Sequence, residues 1–68
     1  MSIEILVNGE PAIVPEHSTV AALLAQVGLD PERVAVELDR KIVRKAEWDS
    51  TVLERGAQLE IVQFVGGG

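Results

Sequence analysis

Not one of the 68 residues is a cysteine. A domain this small buries only about 60% of the surface that its unfolded chain exposes. Without disulfides or thiolate-bound metal it must be held by tightly packed aliphatic side chains. The same absence excludes Cys-ligated zinc and iron–sulfur sites. The length allows one small domain, and neither a second domain nor an enzyme with a deep enclosed pocket fits in it. Material for a core is present. Hydrophobic residues make up 47% of the chain and Val, Ile and Leu recur throughout, so disorder is disfavoured.

The elements follow from local chemistry. Ile3-Glu4-Ile5-Leu6-Val7 is rich in β-branched residues and stops at Asn8-Gly9, a dipeptide suited to a type I′ hairpin turn. Pro11-Ala12-Ile13-Val14 is the returning strand, and Pro11 places it at a sheet edge or a strand start. Val20, Leu23, Leu24 and Val27 recur at helical spacing behind a Ser18-Thr19 cap, with Thr19 the better placed of the two. Gly28 stops this helix. About ten residues of helix do not persist alone in water, so it must lie on a sheet. Val34–Leu38 is the next strand, Asp39-Arg40 a turn, and Lys41–Val43 a short extended piece. Residues 46–49 form a single helical turn, Arg55-Gly56 another turn, and Leu59–Phe64 the last strand. The sum is an α+β chain whose order fits the β-grasp, or ubiquitin-like, arrangement, a mixed sheet of four to five strands crossed by one main helix. Other small α+β folds use the same elements, so periodicity gives the class and not the topology.

Alternation along each strand divides inward from outward residues. The expected core is Ile3, Ile5, Val7, Ile13, Val20, Leu23, Leu24, Val27, Val36, Leu38, Val43, Leu53, Leu59 and Ile61. Trp48 is expected to act as a packing lid over it. Leu6, Val62 and Phe64 are left on the outer face, where they form one apolar patch if the first and last strands are neighbours.

Charge and side-chain chemistry exclude several functions. Six Lys and Arg against 11 Asp and Glu give a formal charge of −5, which opposes nucleic-acid binding. Four of the six basic residues fall between Arg40 and Lys45, as a solvated turn or a docking patch. His17 is the single histidine and has no partner ligands in the sequence, so a surface position is expected. Ser18, Thr19, Ser50 and Thr51 have no base at motif spacing, which leaves them capping and turn roles. The six glycines match neither nucleotide-loop pattern. No leader and no apolar run of about 20 residues is apparent, so a cytoplasmic protein, monomeric when free and without contact to membranes, is expected.

What remains is Phe64-Val65-Gly66-Gly67-Gly68. Residues 1–64 are expected to form the domain and 65–68 a flexible Gly-rich tail. Such a tail spans roughly 13 Å at about 3.3 Å per residue and, lacking side chains, can thread a narrow channel. A carboxylate at its end is a poor electrophile until activated, most simply as an acyl-adenylate formed from ATP. This chain carries no nucleotide motif, so a partner must supply that step.

Taken together, Val7-Asn8-Gly9-Glu10, Thr19–Leu24, Val34–Leu38, Ile42-Val43-Arg44 with Trp48, and the block from Leu59 to Gly68 make the whole chain resemble the sulfur carrier proteins of thiamin biosynthesis, the ThiS family. Two positions depart from that family's pattern: Asp39 stands where Asn is usual, and Ala57 follows Gly56 where Gly-Asp is common. The resemblance implies a non-enzymatic carrier that binds no cofactor itself. Its Gly68 would be adenylated by an E1-like, ThiF-type enzyme using ATP and then converted to a thiocarboxylate. Sulfur would come from a cysteine desulfurase and pass to a ThiG-type thiazole synthase. By position Gly66, Gly67 and Gly68 carry the terminal motif and Phe64 and Val65 the partner-facing end, with Val62 and Leu6 added from the alternation. Carriers for molybdopterin or tRNA thiolation, a ubiquitin-like modifier and a binding module with an inert tail share these features and stay open at this point.

Overall fold

Asn8 and Gly9 both adopt positive φ, 51° and 82°, the combination that a two-residue type I′ turn demands. They join strand β1 (Ser2–Val7) to β2 (Glu10–Pro15) in antiparallel register. The computed structural model describes residues 1–64, so the expected tail over 65–68 lies outside the described residues. Helix α1 (Val20–Val27) follows, then β3 (Val34–Leu38), β4 (Lys41–Val43) and β5 (Gln58–Gln63). The five strands form one sheet in the order β2-β1-β5-β3-β4. β1 and β5 are parallel and every other pairing is antiparallel. With α1 against one face, this is the β-grasp fold. β5 is therefore central, flanked on both sides, although it is the last element along the chain.

The ends of α1 show why so short a helix forms. Its first four amides all find acceptors. Val20 donates to the Thr51 carbonyl (3.0 Å), Ala21 to the Trp48 carbonyl (3.1 Å), Ala22 to Thr19 Oγ1 (3.1 Å) and Leu23 to the Thr19 carbonyl (3.0 Å). At the other end Gly28 sits at φ 77°, and the amides of Gly28 and Leu29 fold back on the carbonyls of Ala25 and Leu24. That closing turn needs a left-handed residue, which glycine supplies without strain. Two short 3₁₀ turns complete the chain, Pro31–Arg33 and Lys45–Glu47. The second begins one residue before the helical turn expected over 46–49. The first is new, and Asp30 caps it by accepting from the Glu32 amide at 2.9 Å.

The core lies between the sheet and α1 and contains Ile3, Ile5, Val14, Val20, Leu23, Leu24, Val34, Val36, Trp48, Leu53, Ala57, Leu59 and Ile61. Three expected members, Val7, Leu38 and Val43, are only partly buried and pack against it. Two expectations are corrected. Ile13 is 59% exposed, and its neighbour Val14 is buried instead. The two-residue turn sets the pairs Val7–Glu10, Ile5–Ala12 and Ile3–Val14, and residues directly opposite share a face. Ile13 therefore faces outward with Glu4. Val27, in the last turn of α1, is 48% exposed, and Leu29 beyond the turn packs on the core in its place. Trp48 is buried as a lid, its Nε1–H donating to the Val43 carbonyl at 2.9 Å.

Candidate functional site

Among the described residues no polar or charged side chain is buried, and no group of three His, Cys, Asp or Glu gathers as a metal site. The hydroxyls are occupied as turn chemistry requires. Ser18 donates to the Pro15 carbonyl, while Ser50 and Thr51 both donate to the Glu47 carbonyl. His17 is exposed beside Glu16. In the basic segment Lys45 is ion-paired with Glu32, while Arg40, Lys41 and Arg44 are exposed. No helix among the described residues is long and apolar enough to cross a membrane.

β5 leads into the glycine-rich end of the sequence. Leu59 and Ile61 face the core while Val62 and Phe64 are 57% and 55% exposed. Val62 stands opposite Ala35 of β3, and the Phe64 amide donates to the Arg33 carbonyl at 2.7 Å. β3 thus holds β5 in line up to Phe64, the last described residue.

The other flank is held differently. β1 pairs with β5 only at Leu6–Gln58 and Val7–Leu59 before the chain turns away. The Asn8 amide donates to the Leu59 carbonyl at 2.8 Å. The Asn8 side chain then continues the ladder, with Nδ2 donating to the Ile61 carbonyl (3.2 Å) and Oδ1 accepting from the Ile61 amide (2.7 Å). A carboxamide carries one donor and one acceptor in the geometry of a peptide unit, so it substitutes for the strand residue that the turn removes.

The register also decides the outer apolar surface. β1 and β5 are neighbours, yet Leu6 does not join Val62 and Phe64. Leu6 is half-buried opposite Gln58, and Val62 lies four residues further along, about 13 Å at ~3.3 Å per residue. The row between them belongs to Glu60 and Glu37, which stand directly opposite each other on the exposed face. The expected three-residue patch is divided by this acidic row. Ala35, opposite Val62, extends the Val62 side of it, and Ile42, opposite Glu37 at the β4 end of the acidic row, is 76% exposed. Ile42 was findable from sequence, since an inward Val43 sends its neighbour outward. Asn8 gave no such signal, because its role depends on a pairing 53 residues away. Val65, Gly66, Gly67 and Gly68 lie outside the described residues.

The two departures noted in the sequence are accommodated. Asp39 Oδ1 accepts from the Gln58 amide at 3.0 Å, a bond that an Asn oxygen would also make. Ala57 is buried in the core, and its carbonyl accepts from Leu6.

Comparison with known proteins bears on the same region. The sequence model of the ThiS family matches residues 4–68. Thiazole synthase from Paramagnetospirillum magneticum is 40% identical over 65 residues, covering 96% of this chain and 20% of that protein. Thiazole synthase from Magnetococcus marinus is 38% identical over 65 residues with the same coverage, so the chain spans about a fifth of the length of these relatives. Among solved structures, the crystal structure of the thiamine biosynthesis protein ThiS from Geobacter metallireducens superimposes with a TM-score of 0.82 at 32% identity, covering 97% of this chain and 100% of that one.

Proposed function

The chain belongs to the ThiS family, and from that membership we propose that it is a sulfur carrier, not itself an enzyme, serving thiazole formation in thiamin biosynthesis. In this reading the Gly68 carboxylate attacks the α-phosphate of ATP held by an E1-like, ThiF-type enzyme and displaces pyrophosphate. A persulfide sulfur derived from cysteine through a desulfurase then displaces AMP to give an acyl disulfide. A second thiol attacks the sulfur distal to the acyl group, breaking the S–S bond to leave a thiocarboxylate at Gly68 and a disulfide. That anionic sulfur is delivered to a thiazole synthase of ThiG type. ATP belongs to the partner, and this chain supplies the recognised head and the acyl group.

The observation that carries this reading is the extent of the family match, which runs from residue 4 to Gly68. Segments similar to this chain lie inside longer proteins named thiazole synthase, which supports that enzyme as the acceptor. Within this reading Phe64 and Val62, with Val65 and Gly66 beyond them, face the partner, and Gly67 and Gly68 enter its channel.

The test is intact-mass spectrometry after incubation with the adenylating enzyme, ATP and a sulfur donor. Replacement of one oxygen by sulfur, confined to Gly68, is expected. Ladders of larger conjugates would instead make the protein a modifier, and an unchanged mass with active partners would overturn the carrier reading. Deleting Gly67 and Gly68 is expected to abolish loading.

A further inference from the structure

Strand pairing consumes backbone groups in alternation, so the side on which each β5 residue bonds can be assigned. Asp39 donates to the Gln58 carbonyl (2.8 Å) and Phe64 to the Arg33 carbonyl (2.7 Å), which directs Gln58, Glu60, Val62 and Phe64 toward β3. Leu59 and Ile61 bond the other way, to Asn8. Gln63 is the next residue in that second series. Its amide and carbonyl point to the flank where β1 has already turned away, and no described residue bonds to either.

The outer edges of the sheet are guarded, and this inner notch is not. On β2, Val7–Glu10, Ile5–Ala12 and Ile3–Val14 are the bonded pairs, because Leu6 is committed to Ala57 on the other side. Pro11, Ile13 and Pro15 therefore face open solvent, and two of these three have no N–H to offer. β4 is three residues long and begins with Lys41. Short strands, prolines and lysines are the usual protection against unwanted pairing. At Gln63 an unprotected donor and acceptor sit between the exposed side chains of Val62 and Phe64.

We propose that Gln63 is where a partner adds a strand: an extended segment of the adenylating enzyme takes the place that β1 vacates and pairs its backbone with the Gln63 N–H and C=O. Strand addition takes its affinity from main-chain bonds and its selectivity from alternate side chains. The outer-face side chains of the added segment lie along Val62 and Phe64 and are apolar. At the end nearest Glu60 the segment meets Asn8, which fills the flank through Ile61, and a Lys or Arg there reaches past it to the Glu60 carboxylate, which already opposes Glu37. The inference rests on the carrier reading and adds the mode of docking to it.

Two measurements with the full chain and its adenylating enzyme test it. Amide exchange by NMR should find Gln63 fast in the free protein and protected in the complex. Gln63→Ala should bind as the parent does, whereas Gln63→Pro, which removes an N–H that makes no bond inside the domain, should weaken binding by about tenfold. Gln63 still exchanging fast in the complex overturns the inference, whether or not the proline variant folds. So does equal binding by Gln63→Pro, or an equal loss in Gln63→Ala. In those cases thiocarboxylate loading of the parent protein persists and the carrier reading stands. If the parent itself neither binds nor is loaded, the carrier reading fails and the docking mode fails with it.

Discussion

Asn8 grips the Ile61 backbone from both directions, donating to its carbonyl and accepting from its amide. The same residue forms the first position of the hairpin turn at φ 51°, a conformation that Asn tolerates better than most. One side chain therefore couples the turn between β1 and β2 to the exit of β5.

Replacing it separates the two contributions. Asn8→Asp keeps the acceptor and the tolerance for positive φ but loses the donor, and a cost of about 1 kcal/mol is expected. Asn8→Ala loses both bonds and adds left-handed strain, for about 2–3 kcal/mol. Urea denaturation followed by circular dichroism gives both numbers. Equal stability of Asn8→Ala and the parent would show that the clamp holds nothing.

Glu37 and Glu60 face each other across β3 and β5, and like charges in that relation repel. Glu60→Gln should therefore raise stability by a few tenths of a kcal/mol, and Glu60→Lys by about 0.5–1 kcal/mol, at low ionic strength. Both side chains are exposed, so salt should shrink the gain. Thermal melts at low salt and at 1 M salt, where the Debye length is about 3 Å, make the comparison. A loss of stability in both variants would mean that the pair is not repulsive. Glu60→Lys should also weaken adenylating-enzyme binding if a partner cation meets this row.

Trp48 closes the core from a loop, buried and bonded to the Val43 carbonyl. Trp48→Phe keeps the ring but leaves that carbonyl unmatched and a gap beside it, for about 1–3 kcal/mol. Trp48→Ala should cost about 3–5 kcal/mol, which is a large part of the total stability expected at roughly 0.05–0.15 kcal/mol per residue. The alanine variant is expected to be largely unfolded at 37 °C by circular dichroism. A melting temperature within about 2 °C of the parent would remove Trp48 from the core.

The elements were legible because each carries its own local chemistry. Asn8-Gly9 dictates a tight hairpin, Thr19 and Gly28 bound the helix, and β3 and β4 lie where β-branched runs and the Asp39-Arg40 turn place them. Alternation alone leaves the phase of β2 open, and Ile13, an expected core residue, faces outward. Counting back from the two-residue turn gives the register that buries Val14. Ala57 sits in an irregular segment where no period applies, so nothing in the spacing marks it as core, whereas Trp48 is legible as a lid from its residue type alone. The site was legible only in part for a related reason. Alternation shows that Leu6, Val62 and Phe64 face outward, but their separation follows from the parallel register of β1 against β5. That register is fixed by contacts far apart in sequence, among them the Asn8 clamp.

The division of the outer face leads to a last test, which rests on the proposed carrier function. Val62 and Phe64 are more than half exposed, so Val62→Asp and Phe64→Asp should each cost no more than about 1 kcal/mol of stability. Both should weaken binding to the adenylating enzyme by tenfold or more, about 1.4 kcal/mol, because a carboxylate would replace an apolar contact beside an already acidic row. Leu6 is half-buried on the far side of that row, near Pro11 and Gln58. Leu6→Asp should therefore destabilise the head by about 1–2 kcal/mol yet leave the affinity of the folded fraction close to that of the parent. Calorimetric titration with melts on the same samples separates the two effects. A folded Leu6→Asp that binds as poorly as Phe64→Asp would mean that the partner reaches across the acidic row to the far side of the outer face, and that Val62 and Phe64 hold no special place in recognition.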